Sequence, residues 1–180
     1  MTKSSLDIYI EQVKSDWGPL TTETVARCRR DLEALARAPA TEAWLAALHG
    51  DPPEDKELYR DPDHGFLLMT HVESRGRYRV PHDHGRGWVI YAVQHGEVEM
   101  GSFGRIADPD GKVHLVKRET YRMRAGDCRV FLPGDIHDTH CLSASVLMYR
   151  FTSCDLKQEA QAGRMTRYVE RDGSWTVGTV

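Results

Sequence analysis

The sequence lacks any apolar run long enough to cross a bilayer: no stretch approaches the roughly 18 consecutive apolar side chains that a membrane helix requires. Its start, MTKSSLDIYIEQ, is without the basic-then-apolar layout of a secretion signal, so a cytoplasmic protein with no membrane partner is expected. Only four cysteines occur, Cys28, Cys128, Cys141 and Cys154, with no CxxC pair among them, which favours reduced thiols over disulfides. A basic stripe matched to phosphates is also missing. The formal net charge is -3, which argues against nucleic acid as a partner. Internal repeats and low-complexity segments are absent. What is present, 180 residues of which 40% are hydrophobic and 28% charged, suits one compact domain with a full core.

The first fifty residues read as helices. Leu6, Ile10, Val13 and Trp17 recur at three- and four-residue steps, the one-sided stripe of a short helix, and Gly18-Pro19 breaks it. Thr21 or Thr22 caps a second helix carrying Val25, Cys28, Leu32 and Leu35, and Pro39 ends it because proline cannot donate to the helix ladder. Thr41 caps a third with Trp44, Leu45 and Leu48, closing at Gly50. These residues, 1–50, form a helical cap on a larger body; a DNA-reading helix pair is the rival, and the charge balance disfavours it.

From Asp51 the pattern changes. DPPEDKELYRDPDHG is turn-rich, and short β-like runs follow: FLLMTHV, WVIYAV, EVEMGSF, KVHLVKR, TYRMRAG, CRVFLP, SASVLMYRF and MTRYV. Closely spaced short strands with no helical pattern between them indicate an all-β sandwich or barrel over residues 51–180. Just before WVIYAV stands VPHDHGRG. In an extended strand His82 and His84 point the same way, roughly 7 Å apart at about 3.3 Å per residue, with Asp83 pointing away. Two imidazoles so placed can share one metal, and Pro81 fits a strand start or sheet edge where a site stays open. Further on, GDCRVFLPGDIHDTH turns at Pro133-Gly134-Asp135 and feeds His137. A barrel brings this histidine back beside the first two.

The pair of motifs, HxH with Gly96 twelve residues after His84, then G-x-x-x-x-x-x-P-G-x-x-H from Gly126 to His137, resembles the two signature motifs of the cupin superfamily. The likeness covers about residues 66 to 152. It implies a double-stranded β-helix barrel in which His82, His84 and His137 hold a metal. The glutamate that often completes the cupin set falls near Trp88 or Val89 and is missing, which leaves three neutral ligands. Within the superfamily the chain is most similar to the thiol dioxygenases, with their three-histidine iron site and helical N-terminal cap. A set of metal-dependent double-stranded β-helix proteins with a PHDHG-x-x-W-x-I-Y run is also similar. The resemblance implies an Fe(II) enzyme converting a small thiol and O2 to a sulfinate, with a homodimer as the expected assembly. It departs from that group in SVLMY, which offers Ser145 and Tyr149 but leucine at the histidine position between them. It departs also at the carboxylate-holding arginine, for which Lys56 and Arg60 are the nearest candidates, and at Val89, where some members carry a crosslinking cysteine.

The chemistry of the residues stands beside this likeness. Three imidazoles leave a divalent ion its full +2 charge and open positions, which favours anionic ligands. A thiol on such an ion loses its proton readily, and Tyr149 is either a proton donor near it or a core tyrosine of an apolar strand. Imidazoles do not select among iron, zinc, nickel, manganese and copper. Arg86, between two glycines, is an anion clamp or a solvent-facing loop residue. His140 is a ligand neighbour or a rim histidine, and His71, in parity with Leu67 and Met69, lines the interior or the outer face. The expected function is a non-haem iron dioxygenase of a small thiol or related anionic metabolite. A metal-dependent lyase or isomerase, a zinc hydrolase and a non-catalytic binding module are its rivals.

Overall fold

The computed structural model describes residues 2–178. Three helices come first: α1 (Ser5–Asp16), α2 (Thr22–Ala36) and α3 (Ala43–Gly50). Ser4 and Asp7 form a reciprocal capping box at the start of α1, and the Thr21 hydroxyl accepts from Thr24 N at the start of α2. The third helix begins one residue later than the Thr41 cap predicts, with Glu42 at the cap position and no side-chain hydrogen bond there.

Nine strands form two sheets. One has the order β1-β2-β9-β4-β7, built from β1 (Asp55–Arg60), β2 (Leu67–Ser74), β9 (Ser145–Thr152), β4 (Val89–His95) and β7 (Cys128–Phe131). The other has the order β3-β8-β5-β6, built from β3 (Tyr78–His82), β8 (Ile136–Cys141), β5 (Glu97–Ala107) and β6 (Val113–Arg124). A short helix α4 (Leu156–Gln161) and a hairpin of β10 (Tyr168–Arg171) with β11 (Ser174–Val177) follow. All named pairs are antiparallel.

The predicted closed barrel is instead a sandwich. Among the described residues no ladder joins the edges β1 and β7 to the edges β3 and β6. The two sheets share an interior cluster in which Val89, Tyr91, Val93 and Met148 of the first meet Val98, Met100 and Cys141 of the second. Strand alternation sends the opposite set, Ile90, Ala92, Leu147, Tyr149 and Phe151, outward, where Leu32, Leu35, Leu45 and Leu48 of the helices cover them. The helical layer therefore lies behind the five-stranded sheet, and its apolar cluster is shared with the strands.

Two runs read as separate strands, KVHLVKR and TYRMRAG, are one continuous β6 that follows β5 through a register shift at Ser102/Phe103. Strands β1 and β8 lie in stretches whose polar or turn-forming residues hid them, and the strand expected from Pro81 through His84 is β3, which starts earlier and ends at His82.

Candidate metal centre

The three motif histidines arrive from two segments of the chain. His82 is the last residue of β3, His84 follows it in a turn, and His137 lies on β8, where His82 and His137 are cross-strand partners. Asp83 fixes the turn: its Oδ1 accepts from Gly85 N at 3.0 Å and from Thr166 N at 2.9 Å. Gly85 adopts a φ of 62°, and a Cβ there would stand 2.7 Å from Glu159 Oε2, so glycine serves both conformation and space. The Glu159 carboxylate in turn accepts from Arg86 N at 3.1 Å and from Arg164 Nε at 2.9 Å and Nη2 at 2.7 Å, tying α4 to the histidine turn.

The donor atoms of His82, His84 and His137 all fall within 4.8 Å of one another. Nε2 of His84 and Nε2 of His137 stand 3.2 Å apart. Two nitrogens that share an ion at about 2.1 Å lie about 3.0–3.4 Å apart for right-angled to tetrahedral geometry. Nδ1–H of His82 donates to Val80 O at 2.8 Å, which leaves its Nε2 as the free lone pair, as is usual for metal-bound histidine. Burial pushes the His82 pKa down to about 4 and holds His84 and His137 well below the ordinary imidazole value. Across the 3.2 Å between His84 and His137 one ring can donate Nε2–H to the other, or both can turn their Nε2 lone pairs on one cation, and desolvation disfavours protonating either ring to imidazolium. These residues fit a divalent metal. Among the described residues no carboxylate joins them: Val89 and Trp88 pack in the interior and the helix-side clusters respectively.

A cavity of about 220 Å³ opens over His82 and His84. It is lined by Glu73 and Arg79, an ion pair, by Tyr91 and Arg150, and at its mouth by Lys157 of α4 and by Arg167. Tyr91 and Arg150 are cross-strand partners on β4 and β9, and the Tyr91 ring lies 5.2 Å from that of His137 and 6.3 Å from that of His84. Burial raises the Tyr91 phenol pKa, and the Arg150 guanidinium pulls against that rise. A second cavity of about 300 Å³ continues outward past Arg60 and Asp155.

The other residues singled out in the sequence lie elsewhere. Tyr149 occupies the outward parity of β9, packs near Trp44 of α3, and has the five-stranded sheet between it and the histidines. Arg86 points out of its turn, 74% exposed, with its guanidinium on Glu159. Lys56 is exposed on the edge strand β1. Ser145 pairs with Ser74 where β9 starts. His140 has the opposite parity from His137 and sets its ring against Tyr78, which is itself 42% exposed. Arg60 reaches the outer cavity, held by Glu57 and Asp155. His71 lines both cavities, paired with Asp55, and burial lowers its pKa to about 4. Tyr91, Glu73, Arg79 and Arg150 went unremarked in the sequence; the available signal was a charge interrupting an apolar strand, as Arg150 does in SVLMYRF.

No protein-family model and no curated protein matches the chain. Among solved structures it is similar to proteins of cupin and double-stranded β-helix architecture. The cupin domain of Cnp3 from Schizosaccharomyces pombe has 12% identity and a TM-score of 0.44 over 61% of this chain and 69% of that one. KdgF from Halomonas sp. has 21% identity and a TM-score of 0.45 over 58% of this chain and 81% of that one. A recombinant oxalate oxidase in complex with glycolate has 22% identity and a TM-score of 0.43 over 57% of this chain and 52% of that one.

Proposed function

We propose that this protein is a metal-dependent enzyme acting on a small anionic metabolite, and that its specific activity is the iron-dependent dioxygenation of a thiol. The observation that carries the reading is the convergence of three neutral imidazoles, free of any carboxylate, at the floor of a cavity lined by guanidinium groups. An Fe(II) ion bound there supplies a Lewis-acidic centre that acidifies a thiol and activates O2.

The chain's own residues would do the rest. His82, His84 and His137 hold the ion and leave its charge uncompensated. Arg150 orients the substrate's carboxylate, and Tyr91 rather than Tyr149 is the phenol within reach of the reacting atoms. The apolar wall of Met148, Leu156 and Met165 excludes water. The overall conversion takes a thiol and O2 to a sulfinic acid, both oxygen atoms ending on sulfur, so no further reductant is required. The cytoplasm and a homodimer remain part of this proposal.

Metal analysis of protein purified without added metal, followed by oxygen-electrode assays of the iron-loaded form with cysteine, 3-mercaptopropionate and cysteamine, tests it. Iron with thiol-dependent O2 uptake and a sulfinate product is the expected result. Tightly held zinc with no uptake overturns the oxygenase and leaves the lyase or hydrolase reading.

A further inference from the structure

We infer that the cavity above the three histidines selects a dianionic substrate, one that presents two anionic groups, of dicarboxylate or phosphate-monoester class, to Arg150, Lys157 and Arg167. The inference deepens the metal-enzyme reading above and rests on it for the word substrate, but the clamp itself is made of residues that hold no metal.

The argument is one of charge and pairing. Four cationic groups, Arg79, Arg150, Arg167 and Lys157, line this cavity against one carboxylate, Glu73. Arg79 is already paired with Glu73. Among the described residues, Arg150, Arg167 and Lys157 make no ion pair. The neighbouring charges that could have neutralised them are engaged: Asp155 and Glu57 bind Arg60, and Asp55 binds His71. Arg150 is half-buried and its Nε is a buried donor with no hydrogen-bond partner, while Lys157 and Arg167 stand exposed at the mouth. A half-buried guanidinium with no ion pair and a buried, partnerless Nε carries a desolvation cost that an anion would offset.

One anionic group would answer Arg150 and leave the two rim cations unmatched; a second answers them. The volume, about 220 Å³, lies below the roughly 300–1,000 Å³ typical of sites for drug-sized ligands, so both groups belong to one small metabolite. Cations converging on one cleft also raise the local concentration of such a ligand, with a salt dependence that a neutral ligand would lack.

Calorimetric titration of the full chain with succinate, glycerol phosphate and propionate, before and after removal of bound metal, tests this. At least one of the two dianions is expected to bind tenfold or more tighter than propionate, and the better of the two names the class. Lys157→Met and Arg167→Met, both at exposed positions, are each expected to weaken the dianion at least fivefold, Arg150→Met more, and the distant exposed Lys112→Met not at all. Equal affinity for propionate and both dianions, or indifference to Lys157→Met and Arg167→Met in folded protein, overturns the inference. A dianion preference that survives in a chain that takes up no metal would uphold the clamp while sinking the metal-enzyme reading; metal uptake without the preference would do the reverse.

Discussion

Nε2 of His84 and Nε2 of His137 face each other across 3.2 Å and burial disfavours the imidazolium form of both rings, so metal uptake and acid sensitivity are linked at these rings. Single alanine replacements at His82, His84 and His137 are each expected to cut bound metal at least tenfold, read by elemental analysis, with the helical content unchanged. The metal-free protein has its own pH signature. His82 and His71 titrate at about 4 in the fold against about 6.5 when unfolded, so below pH 6.5 the unfolded chain takes up protons that the folded one refuses. Stability therefore falls as pH drops from about 6.5 to about 4; His71→Gln is expected to flatten that slope in urea titrations. The two tyrosines separate cleanly. Tyr91→Phe is expected to lower turnover on the order of 100-fold if the phenol handles a proton. Tyr149→Phe removes a buried hydroxyl that has no partner and is expected to leave activity unchanged and stability equal or slightly higher. The ligand set was legible because HxH and P-G-x-x-H are local spacings. The choice between tyrosines was not: it depends on which face of β4 and β9 turns inward, and both strands are apolar on both faces.

At the scale of elements, α4 stands out because one side chain anchors it. Glu159, 4% exposed, takes hydrogen bonds from Arg86 and Arg164, which hold its carboxyl at about 2. Its folded pKa is depressed, so the stabilisation is present above the unfolded carboxylate range and is lost as pH falls through about 2. Glu159→Gln is expected to cost about 1–3 kcal/mol at pH 7 and to loosen α4 first, seen as faster amide exchange at residues 156–161. Helices α1 and α2 were legible from three- and four-residue apolar steps and polar caps. β6 was cut in two in the sequence reading because Arg118, Glu119 and Thr120 look like a break, yet on an edge strand open to water they cost nothing. β1 was missed for a similar reason: DKELYR is mostly exposed and is held by its pairing with β2 rather than by its own apolar alternation.

Seen as a whole, the molecule is a sandwich with α1 to α3 on one outer face and the histidine cluster between the sheets. The two are separated by β2, β9 and β4, so the helical layer stabilises without touching the histidines. Leu32→Ala, at a fully buried position of α2, is expected to cost about 2–5 kcal/mol in denaturant titrations while metal content stays at the wild-type level. The layered β body and its helical partner were legible in the order of patterns along the chain; barrel closure was not, because hydrogen bonding between edge strands leaves no mark on a single sequence.

Phe131 of β7 stacks on the His137 ring at 4.0 Å between centroids and lies also on the wall of a separate cavity with Arg29, Arg118 and Ile136. That ring is a stopper. It makes the histidine chamber a cul-de-sac whose doorway lies beside α4, so under the proposed function reactants and product would share one passage and the product would have to leave before the next molecule advances. Shaving the stopper to alanine would turn the cul-de-sac into a through-tunnel, letting chelators strip the ion from behind.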